Sequence, residues 1–294
     1  MSASIKDIVV GRKTFFITPD TSLIPEDYLE EYFSLGYECY FINNDKILSL
    51  DKKIDILISL FKDIILFFNI DYSINGIDWP IFIKEILKKY ENKVLIGILY
   101  NKRQSKDEKA QLEQMYLMDL GCQCGCIQIE YKKANNFEII QKILFANQAQ
   151  GRRKNIRAIC TKACTFSFKI DDSTFSGHLQ DVSMSHFSFV LPANQLEIAD
   201  YEKIDDFQFS LRGFLFTSAA VLIMKRITEK GFLYVFAFVS DTGGSGLDDR
   251  SKQLLTPVIY QLMEFNCRNL LEDVFYKHAK QNLSIEEIEN IYSH

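Results

Sequence analysis

No stretch of this 294-residue sequence carries the ~18 uninterrupted apolar residues that a membrane helix needs. Runs such as Ile64–Phe68 stop at a polar residue, here Asn69, and read as buried strands. Positive charge is in deficit too, with a net charge of -5. That balance excludes a general nucleic-acid binder, because neutralising phosphates takes a broad cationic surface. The stretch MSASIKDIVVGRK lacks a charged segment followed by a long apolar core, so no secretory signal is expected. The seven cysteines are scattered and odd in number, which predicts reduced thiols and a cytoplasmic setting. His178, His278 and His294 do not converge in sequence with cysteines or acids, which predicts neither a catalytic triad nor a metal site. DTGGSG (Asp241–Gly246) lacks the Lys-Ser/Thr ending of a phosphate loop. No paired carboxylates stand beside a nucleophile, so a non-enzymatic protein is expected. What remains is ordinary globular composition, 47% hydrophobic and 25% charged, in a chain long enough for two domains.

The first half alternates short apolar runs with amphipathic stretches. TFFIT, YECYFI, DIILFFNI, VLIGILY and CGCIQIEY read as strands. PEDYLEEYFSLG, the stretch around Ile54–Phe61, WPIFIKEILKKY, KDEKAQLEQMYLMDLG and NFEIIQKILFANQ read as helices between and after them. Five strand–helix units predict a doubly wound, five-stranded parallel sheet. Trp79, ahead of Pro80, reads as the anchor of a helix start. On a strand, Cys122, Cys124 and Cys126 would share one face, but no matching Cys/His pair follows, so they read as small buried hydrophobes.

The order and lengths of these units resemble the receiver domain of two-component response regulators over about residues 13–148. The residues that give a receiver its chemistry are missing. One acid, Asp20, follows strand one where that family has a pair. The phosphoacceptor slot falls on Phe68 or Asn69, the Thr/Ser slot on Tyr100 or Asn101, and the lysine slot near Gln128. Without a carboxylate cluster no Mg²⁺ site is expected. A phosphorylatable regulator using Asp71 or Asp20 is a third, weaker reading.

At GRRKNIR (Gly151–Arg157) three arginines and a lysine crowd together, and after it the periodicity changes from 3.6 to 2. AICTKACTFSFKI, HLQDVSMSHFSFVLP, DFQFSLRGFLFTS and AAVLIMKRI read as strands, and FLYVFAFVS completes a hairpin after the tight turn at EKG. Few helices interrupt them, which predicts a small antiparallel barrel. The chain then turns helical from about Lys252 to Ala279, and Ser284 with Glu287 makes a capping box for a last helix.

This half resembles the PilZ family, bacterial receptors for cyclic di-GMP, over about residues 150–280. That family carries RxxxR just before a six-stranded barrel and [D/N]xSxxG on an early strand. Arg153-Lys-Asn-Ile-Arg157 fits the first motif, with Arg152 as the extra arginine. Asp181-Val-Ser183-Met-Ser-His186 fits the second at Asp and Ser, with histidine in the glycine slot. The resemblance implies guanine and phosphate contacts from Arg152, Arg153 and Arg157, donors from guanine accepted by Asp181, and a polar contact from Ser183. An arginine fork can bond bidentately to guanine O6 and N7, donate to phosphate, or stack on a purine, which lysine does less well. His186 could stack on the base or fill the space the base would take. As strand residues two apart, Asp181, Ser183 and Ser185 are expected to face one way.

The expectation is therefore an α/β plus all-β chain. Residues 1–148 form a receiver-like domain without a phosphoacceptor, 149–158 an arginine linker, 159–251 a six-stranded PilZ-type barrel and 252–294 C-terminal helices. Its expected function is that of a cyclic di-GMP receptor that signals to an unknown protein partner, with no further cofactor, no DNA or RNA and no membrane insertion. The alternative is a ligand-independent adaptor in which both halves have lost their chemistry.

Overall fold

The structure is a computed structural model and describes residues 12–18, 24, 26–42, 47–61, 63–74, 76–91, 93–101, 105–130, 133–151, 155–192, 196, 198–240, 244, 246–281 and 283–292. The chain divides into two compact units. One holds Asn155–Leu270; the other holds Ser4–Lys154 together with Leu271–His294.

The α/β unit is built on strands β1 (Lys13–Ile17), β2 (Glu38–Ile42), β3 (Ile64–Asn69), β4 (Val94–Asn101) and β5 (Cys126–Ile129). All pair in parallel in the order β2-β1-β3-β4-β5. Helices α1 (Glu26–Ser34), α2 (Leu50–Phe61), α3 (Trp79–Lys89), α4 (Lys106–Glu113) and α5 (Lys133–Ala146) connect or follow them, with a π-helical turn at Gln114–Asp119 after α4. Every residue of β1 is buried, and so are Ile64–Phe68 of β3, as a central strand covered on both faces requires. The one charge in β1, Lys13, is paired with buried Glu38, which also accepts from the Tyr40 hydroxyl at 3.2 Å. A buried cation needs such a partner, since desolvating it alone costs several kcal/mol. At the start of α3, Asp78 accepts from Ile81 N–H at 3.1 Å, and the Trp79 indole donates to Tyr72 C=O at 2.9 Å. Tryptophan thus pins the helix start that its position before Pro80 suggests.

The cysteine run does not form a strand. Cys122 lies before, and Cys124 within, a turn that precedes β5, and only Cys126 is in the ladder. Gly125, at φ +84°, bends the chain there, so the expected common face does not exist. Burial raises the thiols of Cys122 and Cys124 to about 12, which keeps both protonated. Among the described residues no three His, Cys, Asp or Glu side chains gather to hold a metal.

The second unit is a barrel of β7 (Cys164–Ile170), β8 (Ser173–Val182), β9 (His186–Leu191), β10 (Lys203–Leu211), β11 (Phe214–Thr228) and β12 (Gly231–Val239). The antiparallel order β8-β7-β10-β11-β12-β9 closes by pairing β8 with β9, and a short β6 (Ala158–Ile159) adds to β8. Its interior is an array of phenylalanines. Phe166 stacks on Phe189 with ring centres 4.0 Å apart, Phe168 tilts on Phe207 at 4.4 Å, and Phe187 stacks on Phe236 at 5.4 Å. Such rings bury roughly 150–250 Å² each, so the alternating FxF segments alone supply most of a core.

Three strand limits differ from the pattern. AICTKACTFSFKI breaks at a turn into β6 and β7, HLQDVSMSHFSFVLP breaks at Ser183–Ser185 into β8 and β9, and DFQFSLRGFLFTS folds back at Arg212-Gly213 between β10 and β11. Both Arg212 and Gly213 have positive φ, and the reversal coincides with a change of phase, from Phe207, Phe209 and Leu211 before it to Phe214 and Phe216 after it. Helices α6 (Asp249–Gln281) and α7 (Ile285–Tyr292) end the chain. Ser284 and Glu287 make the capping box at α7, with Glu287 N–H donating to Ser284 Oγ at 3.2 Å and Ser284 N–H to Glu287 Oε2 at 2.7 Å. Among the described residues no helix is long and apolar enough to cross a membrane.

Candidate functional site

The site grows from an irregularity in β8. Leu179 pairs with Phe189 and Asp181 with Ser188, so Gln180 is an extra residue, a bulge. Leu179 and Val182 point into the core, and the bulge lets both polar residues between them face outward. Strict alternation would have put Asp181 inside. On its other edge this part of β8 carries β6, with Ile159 opposite Asp181 and Cys160 N–H donating to Gln180 C=O at 2.9 Å. Asn266 on α6 donates its amide to Ile159 C=O at 2.7 Å and so fixes β6 from outside.

Asp181 therefore lies between β6 and β9, and Arg157, just before β6, reaches it. The Arg157 Nη1 to Asp181 Oδ1 distance is 3.8 Å, an ion pair too long for a hydrogen bond. Asp181 Oδ1 is buried without a hydrogen-bond partner, and so is Oγ of Ser188, the residue directly opposite it. A buried carboxylate oxygen and a buried hydroxyl, both left open on paired residues, are costly, which makes them the chemically unfinished part of this surface.

The serines do not share a strand face with Asp181. Ser183 and Ser185 lie in the turn after β8, and His186 opens β9. Ser183 is buried and spends its hydroxyl on that turn: Oγ accepts from His186 N–H at 3.1 Å and donates to His186 C=O at 3.1 Å. His186 Nδ1 and Ser185 Oγ are 2.7 Å apart. Burial and then the Arg157 cation lower the His186 pKa, against an opposing pull from Asp181. The imidazole is accordingly neutral near pH 7.

Of the expected site residues, the structure brings Arg157, Asp181, Ser183 and His186 around one turn; Arg152 and Arg153 lie outside the described residues. Nothing in the sequence pattern singles out Ser188, which alternation places as one more polar strand residue, or Asn266, which lies far along the chain. At the carboxyl ends of the parallel strands, Asn69 donates to Thr18 Oγ1 at 3.2 Å and Asp71 accepts from Asn101 N–H. Asp71 is thus tied to the β4 end, while Asp20 lies outside the described residues.

No protein-family profile matches this sequence, and no curated protein does. Among solved structures the chain is similar to Escherichia coli YcgR in complex with c-di-GMP, at 20% identity and a TM-score of 0.35, over 42% of this chain and 51% of that one. It is similar to the PilZ domain with c-di-GMP of E. coli YcgR at 19% identity and a TM-score of 0.33, over 41% of this chain and 98% of that one. A third is the Bacillus subtilis inhibitor of motility MotI/DgrA, at 14% identity and a TM-score of 0.30, over 41% of this chain and 52% of that one. The first and third matches thus span about half the length of those proteins. With identities this low, the functional reading rests on the chain's own residues.

Proposed function

We propose that this protein is a receptor for cyclic di-GMP that binds at the Asp181 surface of the barrel with the arginines of the preceding segment. The observation that carries the reading is the Arg157–Asp181 pair, in which a cation stands 3.8 Å from a carboxylate whose buried Oδ1 accepts no hydrogen bond. A guanine N1–H and N2–H₂ edge supplies the donors such an acceptor lacks. Arg157, released from a long ion pair, can then turn to phosphate or to guanine O6 and N7, with Arg152 and Arg153 beside it in sequence. Ser183 holds the turn that presents Ser185 and His186. The neutral imidazole offers a flat face for a purine. No other cofactor is needed for this binding, and no bond of the ligand need break.

Closing the arginines on the ligand would restrict the segment joining the two units, and that restriction is the signal a protein partner would read. A second reading, a ligand-independent adaptor, is favoured by one observation: the glycine slot is filled by His186, a half-buried ring. Isothermal titration separates them. Wild type should release heat with cyclic di-GMP. Arg157→Ala should bind about 10–100-fold more weakly, the loss of a charged hydrogen bond, and Arg153→Ala/Arg157→Ala should release none. Absence of heat from wild type would leave the adaptor reading.

A further inference from the structure

β11 outruns the strand that pairs with it on one side. It is 15 residues long against 9 for β10, and the β10 ladder ends with Lys203 opposite Val221. One residue further, Leu222 N–H donates to Glu202 C=O at 3.2 Å and Leu222 C=O accepts from Tyr201 N–H at 2.8 Å. Among the described residues no backbone group pairs with that edge of β11 over residues 223–228. The other edge stays paired with β12 as far as Thr228 opposite Gly231. In an antiparallel ladder the backbone groups of successive residues point to opposite sides. A two-residue turn closes on a hydrogen-bonded pair, here Thr228 and Gly231, so Arg226 and Met224 also bond to β12. Lys225 and Ile227 therefore turn their N–H and C=O outward, to the side on which Leu222 meets Glu202.

The side chains along this edge are mixed. Ile227 is 76% exposed and Met224 40%. A bulge at Ile223 sets Met224 and Arg226 on one face, and Lys225 and Ile227 on the other. The Lys225 ammonium turns in to donate to Leu196 C=O at 3.0 Å, over the Phe232 and Tyr234 rings. Arg226 is exposed and has no ion pair among the described residues. Bulges and cations keep one sheet edge from adding to another of its kind. A second copy would bring its own Lys225 and Arg226 against these, and like charges on facing strands repel. Protection alone would put a polar residue at position 227, where an exposed isoleucine stands instead.

We propose that the open edge of β11, residues 223–228, docks an extended segment of a partner protein in which acidic and apolar residues alternate. Such a segment adds a strand, taking up the N–H and C=O groups of Lys225 and Ile227. Because its side chains alternate, its apolar residues lie beside Ile227 on one face and its acids beside Arg226 on the other. The charges that turn away a second copy thus attract this partner. Docking here does not depend on a ligand at Asp181.

The test titrates the full-length protein with fluorescent peptides about ten residues long, valine alternating with glutamate or with lysine, at physiological salt. A net charge of -5 would by itself favour the lysine peptide. The glutamate peptide should nevertheless bind about ten-fold more tightly, and hydrogen exchange at Lys225 and Ile227 should slow in its complex. Arg226→Glu should reverse the preference. Ile227→Pro removes an N–H that the barrel does not use, so it should keep the fold and lose the peptide. Equal binding of the two peptides, protection on a different strand, or no binding overturns the proposal. So does a dimer of the free protein that Ile227→Pro dissolves, since a second copy would then hold the edge.

Discussion

His186 occupies a position that the PilZ motif gives to glycine, and its protonation state decides what it would offer the proposed ligand. Burial and the neighbouring Arg157 depress its pKa, with Asp181 opposing. In the unfolded chain a histidine titrates near 6.5, so between that value and the lower native one the unfolded state holds the extra proton. The stability contributed by the neutral ring is present above about 6.5 and is lost as the pH falls through the depressed native value. Melting temperature should therefore drop from about pH 7 to about pH 5, and less so in His186→Gln. Parallel curves for the two proteins would place the acid sensitivity elsewhere. Ser183 shows why residue roles were only half legible. Its spacing from Asp181 marked it, but spacing cannot tell a hydroxyl aimed at a ligand from one spent on its own turn.

Turns and bulges, not the strands themselves, shape the site-bearing elements. Gly231, at φ +128°, starts β12 after a tight turn, and a Cβ there would come within 2.1 Å of Leu191 C=O on β9. Since the obstacle is backbone, Gly231→Ala should destabilise the barrel by about 1–3 kcal/mol from conformational strain alone, read as a lower urea midpoint. An unchanged midpoint would mean that the β11–β12 hairpin shifts freely against β9. The strands of both units were legible because Ile, Val and Phe repeat with the period each sheet type demands. Their ends were less so, although the phase of alternation does change across Arg212-Gly213, from Leu211 to Phe214, and across Ser183–Ser185, from Val182 to Phe187. The Gln180 bulge had a trace in sequence, two polar residues in succession between Leu179 and Val182. Read that way, it would have placed Asp181 outside the barrel from the start.

Across the whole molecule, a net charge of -5 surrounds one basic segment. Such a chain can hold a small anion locally without attracting a polyanion, since affinity for duplex DNA grows with the number of phosphates neutralised. A labelled duplex should show no gel shift with about 10 µM protein at physiological salt, a concentration within the ~10⁻⁴–10⁻⁶ M range over which non-specific binders bind. A shift there would require a cationic face that the composition does not supply. The barrel's closure carries a further consequence, for the order of manufacture. β9 follows β8 at once, yet its other edge pairs with β12, Leu191 to Phe232, after all of β10 and β11. A ribosome therefore delivers Phe187 and Phe189 well before the strand that covers them, and long-range pairing of this kind is slow. Until β12 emerges, the β9 edge of the aromatic-rich β8–β9 hairpin is open and exposed to aggregation. The β9–β12 seam is then the last part of the barrel to be completed.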